Sequence, residues 1–308
     1  MKFDAYHPAI NFIFFTLVLT AALRFNQPFF LAVSYLCPFV YSVKLNGKKA
    51  ALFNTALLPC ILFYTLFYAG YHHFGVTNLI TNAIGNQITL ESIVFGFVRG
   101  VMAASVLMWF SCIYAVVSAD KIMYLTGRVV PKGSLFLSML LRMIPRIKQQ
   151  AAVIHIAQQG IGKGLRQGSF LQRSRNFFRM ASILITWLPE NFAQTAQAMK
   201  SRGYTLKGRT AFSVYRFDGR DRSFVIVIFA CVSVLLTGVL LDQTRILYNP
   251  AIILNRITPL SYLFYAVYAF LCCLPLVLQM MGEQKLKFIQ IQSMRFSAEQ
   301  VCTPLRRL

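Results

Sequence analysis

The sequence predicts an all-α polytopic membrane protein with about six transmembrane helices and two long cytoplasmic amphipathic helices. Three observations support this fold class. Hydrophobic residues make up 57% of the chain and charged residues only 13%, with a mean hydropathy of +0.57, which lies outside the range of soluble proteins. Six long apolar runs are visible. A basic segment of about a hundred residues separates the first four runs from the last two.

The six apolar runs are the predicted membrane spans. A helix needs about 20 residues to cross about 30 Å of hydrocarbon, so the third to sixth runs are long enough and the first two are short. We expect the first run to be a retained helix, because Lys2 is balanced by Asp4 and no small-x-small cleavage site follows it. The runs cover residues 9–23, 28–43, 50–70, 93–118, 223–241 and 259–281.

These runs divide the chain into four predicted regions. Residues 1–118 form an N-terminal membrane domain with about four spans, and residues 119–222 form a cytoplasmic region. Residues 223–282 supply two further spans, and residues 283–308 form a cytoplasmic tail.

The distribution of positive charge predicts the orientation. Eighteen Lys and Arg residues lie between Lys121 and Arg222, whereas residues 71–92, the longest predicted outer loop, contain none. Basic residues accumulate on the cytoplasmic side of membrane proteins, so both termini should be cytoplasmic in a multi-pass protein of the cell's inner (plasma) membrane. The net charge of +22 then reflects topology, and we expect no nucleic-acid partner.

The basic segment contains two predicted helical arms. The first begins after Val130-Pro131, and the second covers about residues 172–202; a glycine-rich break at 160–164 separates them. One interpretation places both arms in the lipid headgroup region. The other is a docking role on a partner protein. Residues 149–159 favour the second, because their polar face carries Gln, Ala and His instead of a full row of Lys and Arg.

Arg202 is the strongest candidate for a docking residue. It directly precedes Gly203, a residue that tolerates the positive φ at which helices often end. Its charge suits the negative end of a helix dipole, and its planar guanidinium can hold a carboxylate through two hydrogen bonds. The alternative is an ordinary Arg-Gly helix end with a solvated side chain.

The segment from Ala198 to Tyr204, with the sequence AMKSRGY, resembles a coupling motif of the T component of energy-coupling factor transporters. These are ABC importers in which each of two cytoplasmic coupling helices ends in an Ala-Arg-Gly-type tripeptide that docks on an ATPase. Ser201 stands here for the alanine. The likeness extends up to about Arg222, and its supporting segments are Ile144-Pro145, Trp187-Leu188-Pro189-Glu190 and His7-Pro8.

The resemblance implies a transmembrane scaffold subunit without enzymatic activity of its own. It would couple ATP hydrolysis by two ABC-type ATPases to a small hydrophobic membrane subunit that binds a micronutrient, either a vitamin or cobalt or nickel. Coupling residues would be Ser201, Arg202 and Gly203. The chain has no phosphate-binding Gly-x-x-x-x-Gly-Lys-Ser/Thr loop, so the partner subunits would bind the ATP, and we expect no cofactor or metal in this chain.

The first coupling motif departs from the pattern of that family. The tripeptide at its position is Gly160-Ile161-Gly162, with isoleucine where arginine is expected. An isoleucine makes no charge-assisted contact with a carboxylate. Either Lys163 or Arg166 reaches the same acid, or the partner presents an apolar groove. Two non-identical ATPases would suit this difference.

Two other classes of protein compete with the scaffold. An intramembrane enzyme or self-contained carrier would use Glu91, Arg99, His72 and His73. All four lie near the aqueous boundary, where an ionisable side chain can reach water at a lower free-energy cost, so a structural or topological role is favoured. A plain ABC permease would form its own pathway, but such proteins usually couple through one short helix. The long double arm favours the scaffold.

Overall fold

Helices account for most of the secondary structure in the computed structural model, which describes residues 3–72, 74–81, 87–165, 167–204, 206, 215, 217–248, 252–253 and 258–305. These residues contain nine α-helices, a 3-10 turn (Phe3–Ala5) and two short strands. The helices are α1 (Pro8–Arg24), α2 (Pro28–Asn46), α3 (Lys48–Tyr71), α4 (Leu90–Val116), α5 (Ala119–Val129), α6 (Pro131–Gly160), α7 (Phe170–Ser201), α8 (Gly219–Leu240) and α9 (Pro259–Leu305).

The chain divides into two compact units. The apolar unit consists of Met1–Ser118 and Tyr215–Leu308, and the basic unit consists of Ala119–Val214. The apolar unit therefore brings together the first four and the last two apolar runs of the sequence. The basic unit contains both predicted arms.

Among the described residues, five helices are long and apolar enough to cross a membrane, which fits an all-α membrane protein. They are α2, α3, α4, α8 and the first part of α9, Pro259–Ser293, with mean hydropathies from 1.4 to 2.7. The remaining predicted span, the first apolar run, corresponds to α1, which has only 17 residues. At 1.5 Å per residue it is about 25 Å long. It stops at Arg24 because the polar residues Asn26 and Gln27 and then Pro28 interrupt the apolar run.

Aromatic side chains fill the largest part of the core of the apolar unit. Trp109 of α4 is fully buried, and it meets Phe14 and Phe15 of α1 edge to face at ring-centroid distances of 6.5 and 6.2 Å. Phe3 packs against Phe224 of α8 at 6.0 Å. Edge-to-face pairs add to the energy of burial, so the short helix α1 is held in the bundle by ring contacts on several sides.

Polar contacts join distant parts of the same unit. The side chain of Asn26, between α1 and α2, donates to the Ile246 carbonyl at 2.9 Å and accepts from its N–H at 2.8 Å. Lys44 at the end of α2 forms an ion pair with Glu283 of α9 at 2.9 Å. The predicted tail is thus continuous with the last span, since α9 extends through residue 283 to Leu305.

A pair of glycines allows α3 and α4 to approach closely. Gly96 and Gly100 lie one turn apart on α4, in a Gly-x-x-x-Gly pattern. A Cβ atom at Gly96 would lie 3.3 Å from the Thr65 carbonyl oxygen, and one at Gly100 would lie 3.2 Å from the Ile61 side chain. Small residues at such spacing let helix backbones pack together in membranes.

The segment between α3 and α4 adds a short β hairpin to an otherwise helical fold. Strands β1 (Asn78–Thr81) and β2 (Gln87–Thr89) pair in antiparallel fashion, with Ile80 opposite Ile88. Both strands contain an isoleucine and a threonine, and such β-branched residues favour a strand over a helix. The backbone groups of these two strands, which lie outside the apolar runs, form hydrogen bonds with each other across the hairpin.

The basic unit contains one helix more than the two predicted arms. The additional helix, α5, precedes the arms and packs on α6, where Ser134 donates to the Met123 carbonyl at 3.1 Å. The arms themselves appear as α6 and α7, and both continue through an internal proline, Pro145 and Pro189 respectively. Their bounds lie within two residues of the predicted ones.

We predict that Gly100→Leu lowers the thermal stability of the chain, because the new side chain would overlap Ile61 and separate α3 from α4. Overpacking of this kind costs about 1–3 kcal/mol. Gly70→Leu is the matched control, since a Cβ at Gly70 would have no atom within 4 Å. Thermal unfolding in detergent would measure both; equal melting temperatures for the two variants would contradict close α3–α4 packing.

Candidate functional site

The candidate site is built on the antiparallel pair α6 and α7. Arg146 of α6 donates to the Asn191 side chain of α7 at 3.3 Å, and Asn176 of α7 donates to the Gly164 carbonyl, just beyond α6, at 3.2 Å. Residue numbers rise along one helix as they fall along the other, so the two helices run antiparallel. The start of α7 is fixed by Gln172, whose side chain accepts from the Ser169 N–H at 3.1 Å.

The end of α6 is a Schellman motif. The N–H of Gly162 donates to the Gln159 carbonyl at 3.1 Å, and the N–H of Lys163 donates to the Gln158 carbonyl at 2.9 Å. Gly162 has a φ of +76°, in the left-handed region that this motif requires. Two carbonyls at the helix end are thereby paired without any side chain.

The end of α7 has the same backbone arrangement. Gly203 donates to the Lys200 carbonyl at 3.1 Å, and Tyr204 donates to the Met199 carbonyl at 3.2 Å. Gly203 also has a φ of +76°. The two tripeptides Gly160-Ile161-Gly162 and Ser201-Arg202-Gly203 therefore occupy equivalent positions at the ends of their helices, as the sequence predicts.

The two helix ends differ in the side chain that precedes the left-handed glycine. Ile161 is 67% exposed at the end of α6, whereas Arg202 holds that position, also exposed, at the end of α7. Ser201 is occupied locally, since its hydroxyl donates to the Ala198 carbonyl at 2.9 Å. Lys163 is exposed one residue beyond Gly162, and Arg166, the other candidate replacement for the missing arginine, lies outside the described residues.

The two ends lie at opposite ends of the helix pair. A helix of 30 residues such as α6 is about 45 Å long. Because α6 and α7 are antiparallel, Arg202 lies beside Met139 and Arg142, about 20 residues before Ile161 on α6, so the exposed Ile161 and the exposed Arg202 are about 30 Å apart. A single small partner does not reach both, but two partner subunits, or one large one, do.

A groove beside Arg202 contains two further arginines. It has a volume of about 340 Å³ and lies between the first half of α6 and the second half of α7. Arg142 and Arg146 line it together with Arg202. This convergence is not predicted from the sequence, although the i, i+4 spacing of the two α6 arginines places them on one helix face. Only the pairing of α6 with α7 brings Arg202 to them.

Exposed apolar side chains cover much of α7. All of α7 lies in the described part of the chain, and none of its residues is buried. Phe177 is 56% exposed and Phe178 67% exposed. On α6, Met143 and Ile154 are buried, while Phe136 is 59% exposed. The arms thus retain apolar surface that the basic unit does not cover itself.

Glu91, one of the candidates for membrane-embedded chemistry, has a structural role. Its buried carboxylate accepts from the Thr77 hydroxyl at 2.7 Å and from the Thr77 N–H at 3.3 Å. Gly75, with a φ of +125°, lies so close that a Cβ there would stand 2.5 Å from a Glu91 carboxylate oxygen. The carboxylate fixes the turn that leads into the β hairpin.

The other candidates for such chemistry have separate partners. Arg99 is exposed and lies 5.1 Å from the centre of the Phe95 ring, while His72 stacks on Tyr68 at 4.0 Å. His73 lies outside the described residues. In the part of the chain that the structure describes, no group of three or more His, Cys, Asp or Glu side chains is placed to hold a metal ion.

Comparison with known proteins gives no assignment. No protein-family model matches this sequence, and no curated protein matches it. The function must therefore be inferred from the site itself.

We predict that Gly162→Ala opens the end of α6, because a left-handed alanine costs about 1–2 kcal/mol. Hydrogen exchange at the amides of residues 162 and 163, which close the motif, should accelerate about tenfold. Gly160→Ala is the control: a Cβ atom would meet open space at both glycines, but Gly160 is helical. Unchanged exchange in Gly162→Ala would show that the left-handed glycine does not stabilise this end.

Proposed function

We propose that this chain is the transmembrane scaffold subunit of an importer of the energy-coupling factor type. It would couple ATP hydrolysis by two cytoplasmic ATPases to a separate small membrane subunit that binds the substrate. The substrate class that fits such importers is a micronutrient, a vitamin or cobalt or nickel. In this proposal α6 and α7 are the coupling helices, and both chain termini are cytoplasmic in the inner membrane.

The observation that carries the proposal is the pair of equivalent helix ends. Two long helices of the basic unit end in the same Schellman geometry, with one exposed side chain just before a left-handed glycine. A helix end of this kind holds its last side chain on a rigid backbone. A rigid protruding end is suited to insertion into a partner's groove, and the two ends are far enough apart for two partners.

The difference between the ends supports two non-identical ATPases. Arg202 offers a charged contact to a carboxylate, while Ile161 at the equivalent position offers only an apolar one. Each ATPase would therefore present a different groove. ATP would be bound and hydrolysed by these partners, because the sequence has no phosphate-binding loop of its own.

The exposed apolar surface of the arms supports a second kind of partner. Phe177 and Phe178 on α7, and Val153 and Ile156 on α6, are each more than half exposed. Alanines along α6 permit close helix approach; they are Ala151, Ala152 and Ala157. A very hydrophobic membrane subunit would cover such a platform. Lipid at the bilayer surface would cover the rest.

The proposed mechanism is mechanical. Closure of two ATPases on ATP would move the ends of α6 and α7 relative to each other, and the helices would transmit this motion to the substrate-binding subunit. The membrane unit would anchor the arms and contribute no catalytic group. Nucleic acid has no role in this scheme.

Purification of the tagged chain from its native membrane in mild detergent tests the proposal directly. Two ATPases and a small hydrophobic protein should co-purify, and the third subunit would identify the substrate. Recovery of the chain alone under several mild detergents would contradict the proposal.

We predict that Arg202→Glu abolishes recruitment of one ATPase, because it replaces a carboxylate-binding group with a second carboxylate. Membrane insertion should be unaffected, since Arg202 is exposed at a helix end. Arg179→Glu, an identical charge change at another exposed position of α7, is the control. Co-purification yields give the measurement. Full ATPase yield with Arg202→Glu would remove Arg202 from the interface.

We also predict that Ile161→Arg changes the contact at the end of α6. The new guanidinium would sit on the backbone geometry that carries Arg202 in α7. If the matching ATPase groove is apolar, burying a charge in it costs several kcal/mol, and that ATPase should be lost from the purified complex. Ile161→Leu should retain it. Equal ATPase yields from both variants would exclude an apolar groove at the end of α6.

A further inference from the structure

The groove formed by Arg142, Arg146 and Arg202 concentrates positive charge. These three residues come from two different helices and line one cavity of about 340 Å³. None of the described residues that line it is acidic. Ion pairs elsewhere in the described residues join Lys44 to Glu283 and Arg220 to Asp218, and neither pair involves the arginines of the groove.

We infer that this groove receives an acidic segment of an ATPase, one that projects at least two carboxylates into it. The inference rests on the proposed function and adds a feature to it. Arg202 would act as one wall of an anion site, and the partner's acidic side chains would enter this chain, with Arg142 and Arg146 as further contacts.

The chemistry of the three arginines fits carboxylates. Each guanidinium has five N–H donors in a planar fork, and a carboxylate accepts two of them side by side. Arg146 donates one hydrogen bond to the Asn191 side chain at 3.3 Å. This bond orients the guanidinium and leaves its other N–H groups for a ligand. Three positive groups around one space repel one another, so entry of negative charge relieves that repulsion.

The remaining lining favours a protein segment. Asn191, Gln194 and Thr195 form one wall and offer amide and hydroxyl groups, which pair with peptide groups as well as carboxylates. Methionines supply flexible apolar contacts that adapt to a partner's side chains; they are Met139, Met143 and Met199. A cavity of this volume admits a few side chains, as a protruding loop or helix end would provide.

Zero-length cross-linking tests which carboxylate enters the groove. In Arg146→Lys, a carbodiimide would activate a nearby carboxylate of the partner, and the introduced amine would form an amide with it while the carbodiimide becomes a urea. We expect a new ATPase adduct, mapped by mass spectrometry on the intact purified complex. Arg179→Lys, at an exposed position of α7 outside the groove, should give none. The absence of an adduct, or an adduct only with Glu190 of the same chain, would overturn the inference.

Charge reversal provides the second test. Arg142→Glu and Arg146→Glu should each lower the yield of co-purified ATPase about tenfold, the effect of roughly 1.4 kcal/mol, and Arg179→Glu should not. Arg142→Gln and Arg146→Gln remove the charge but keep a polar side chain. They should also lower the ATPase yield, and they replace the glutamate variants as the test if a reversed charge prevents folding. High salt should weaken the wild-type complex in the same way.

The outcomes separate the inference from the proposed function. If Arg202→Glu releases an ATPase while the Arg142 and Arg146 variants retain it, the groove is not the site and the scaffold function stands. If the wild-type chain binds no ATPase, both fail. If the variants lose only co-purifying anionic lipid, quantified by mass spectrometry, the groove binds lipid headgroups and the inference is wrong.

Discussion

The need to satisfy backbone hydrogen bonds without water governs the apolar unit. Hydrocarbon offers no partner for an N–H or a carbonyl, so each apolar run must close its hydrogen bonds within one helix. The five long helices and α1 follow this rule. Strand pairing within the described residues of this unit includes the hairpin between α3 and α4, outside the apolar runs, where Thr77 and Glu91 anchor the turn. Charge that the spans exclude is concentrated in the basic unit, and the candidate site is found there.

The ends of α6 and α7 must also satisfy backbone hydrogen bonds that the helix itself cannot make. The last carbonyls of α6 and α7 lack helical partners, and a left-handed glycine closes two of them at each end. This closure leaves the side chains of Ile161 and Arg202 exposed beyond the helix. In the proposed complex, the left-handed glycine at each helix end therefore determines the position of the docking side chain that precedes it.

The surface chemistry of the basic unit suits the partners of the proposed function. Its long helices expose phenylalanines, and three arginines share a groove in which none of the described lining residues is acidic. Apolar surface and concentrated positive charge are both stabilised by a partner, the first by release of water and the second by an opposite charge. The two features lie on different parts of the arms, which accommodates more than one partner.

The sequence by itself determined the membrane class, the positions of the apolar runs and the two arms, because hydrophobicity and helix-breaking residues act locally. The resemblance of two short segments to coupling motifs also predicted equivalent positions for Ile161 and Arg202. Tertiary structure decided the rest. The proximity of Arg142 and Arg146 to Arg202 depends on pairing across dozens of residues, and the role of Glu91 depends on Thr77. The helix α5 is also outside what the hydrophobic pattern predicts, and it packs on α6 where Ser134 donates to the Met123 carbonyl.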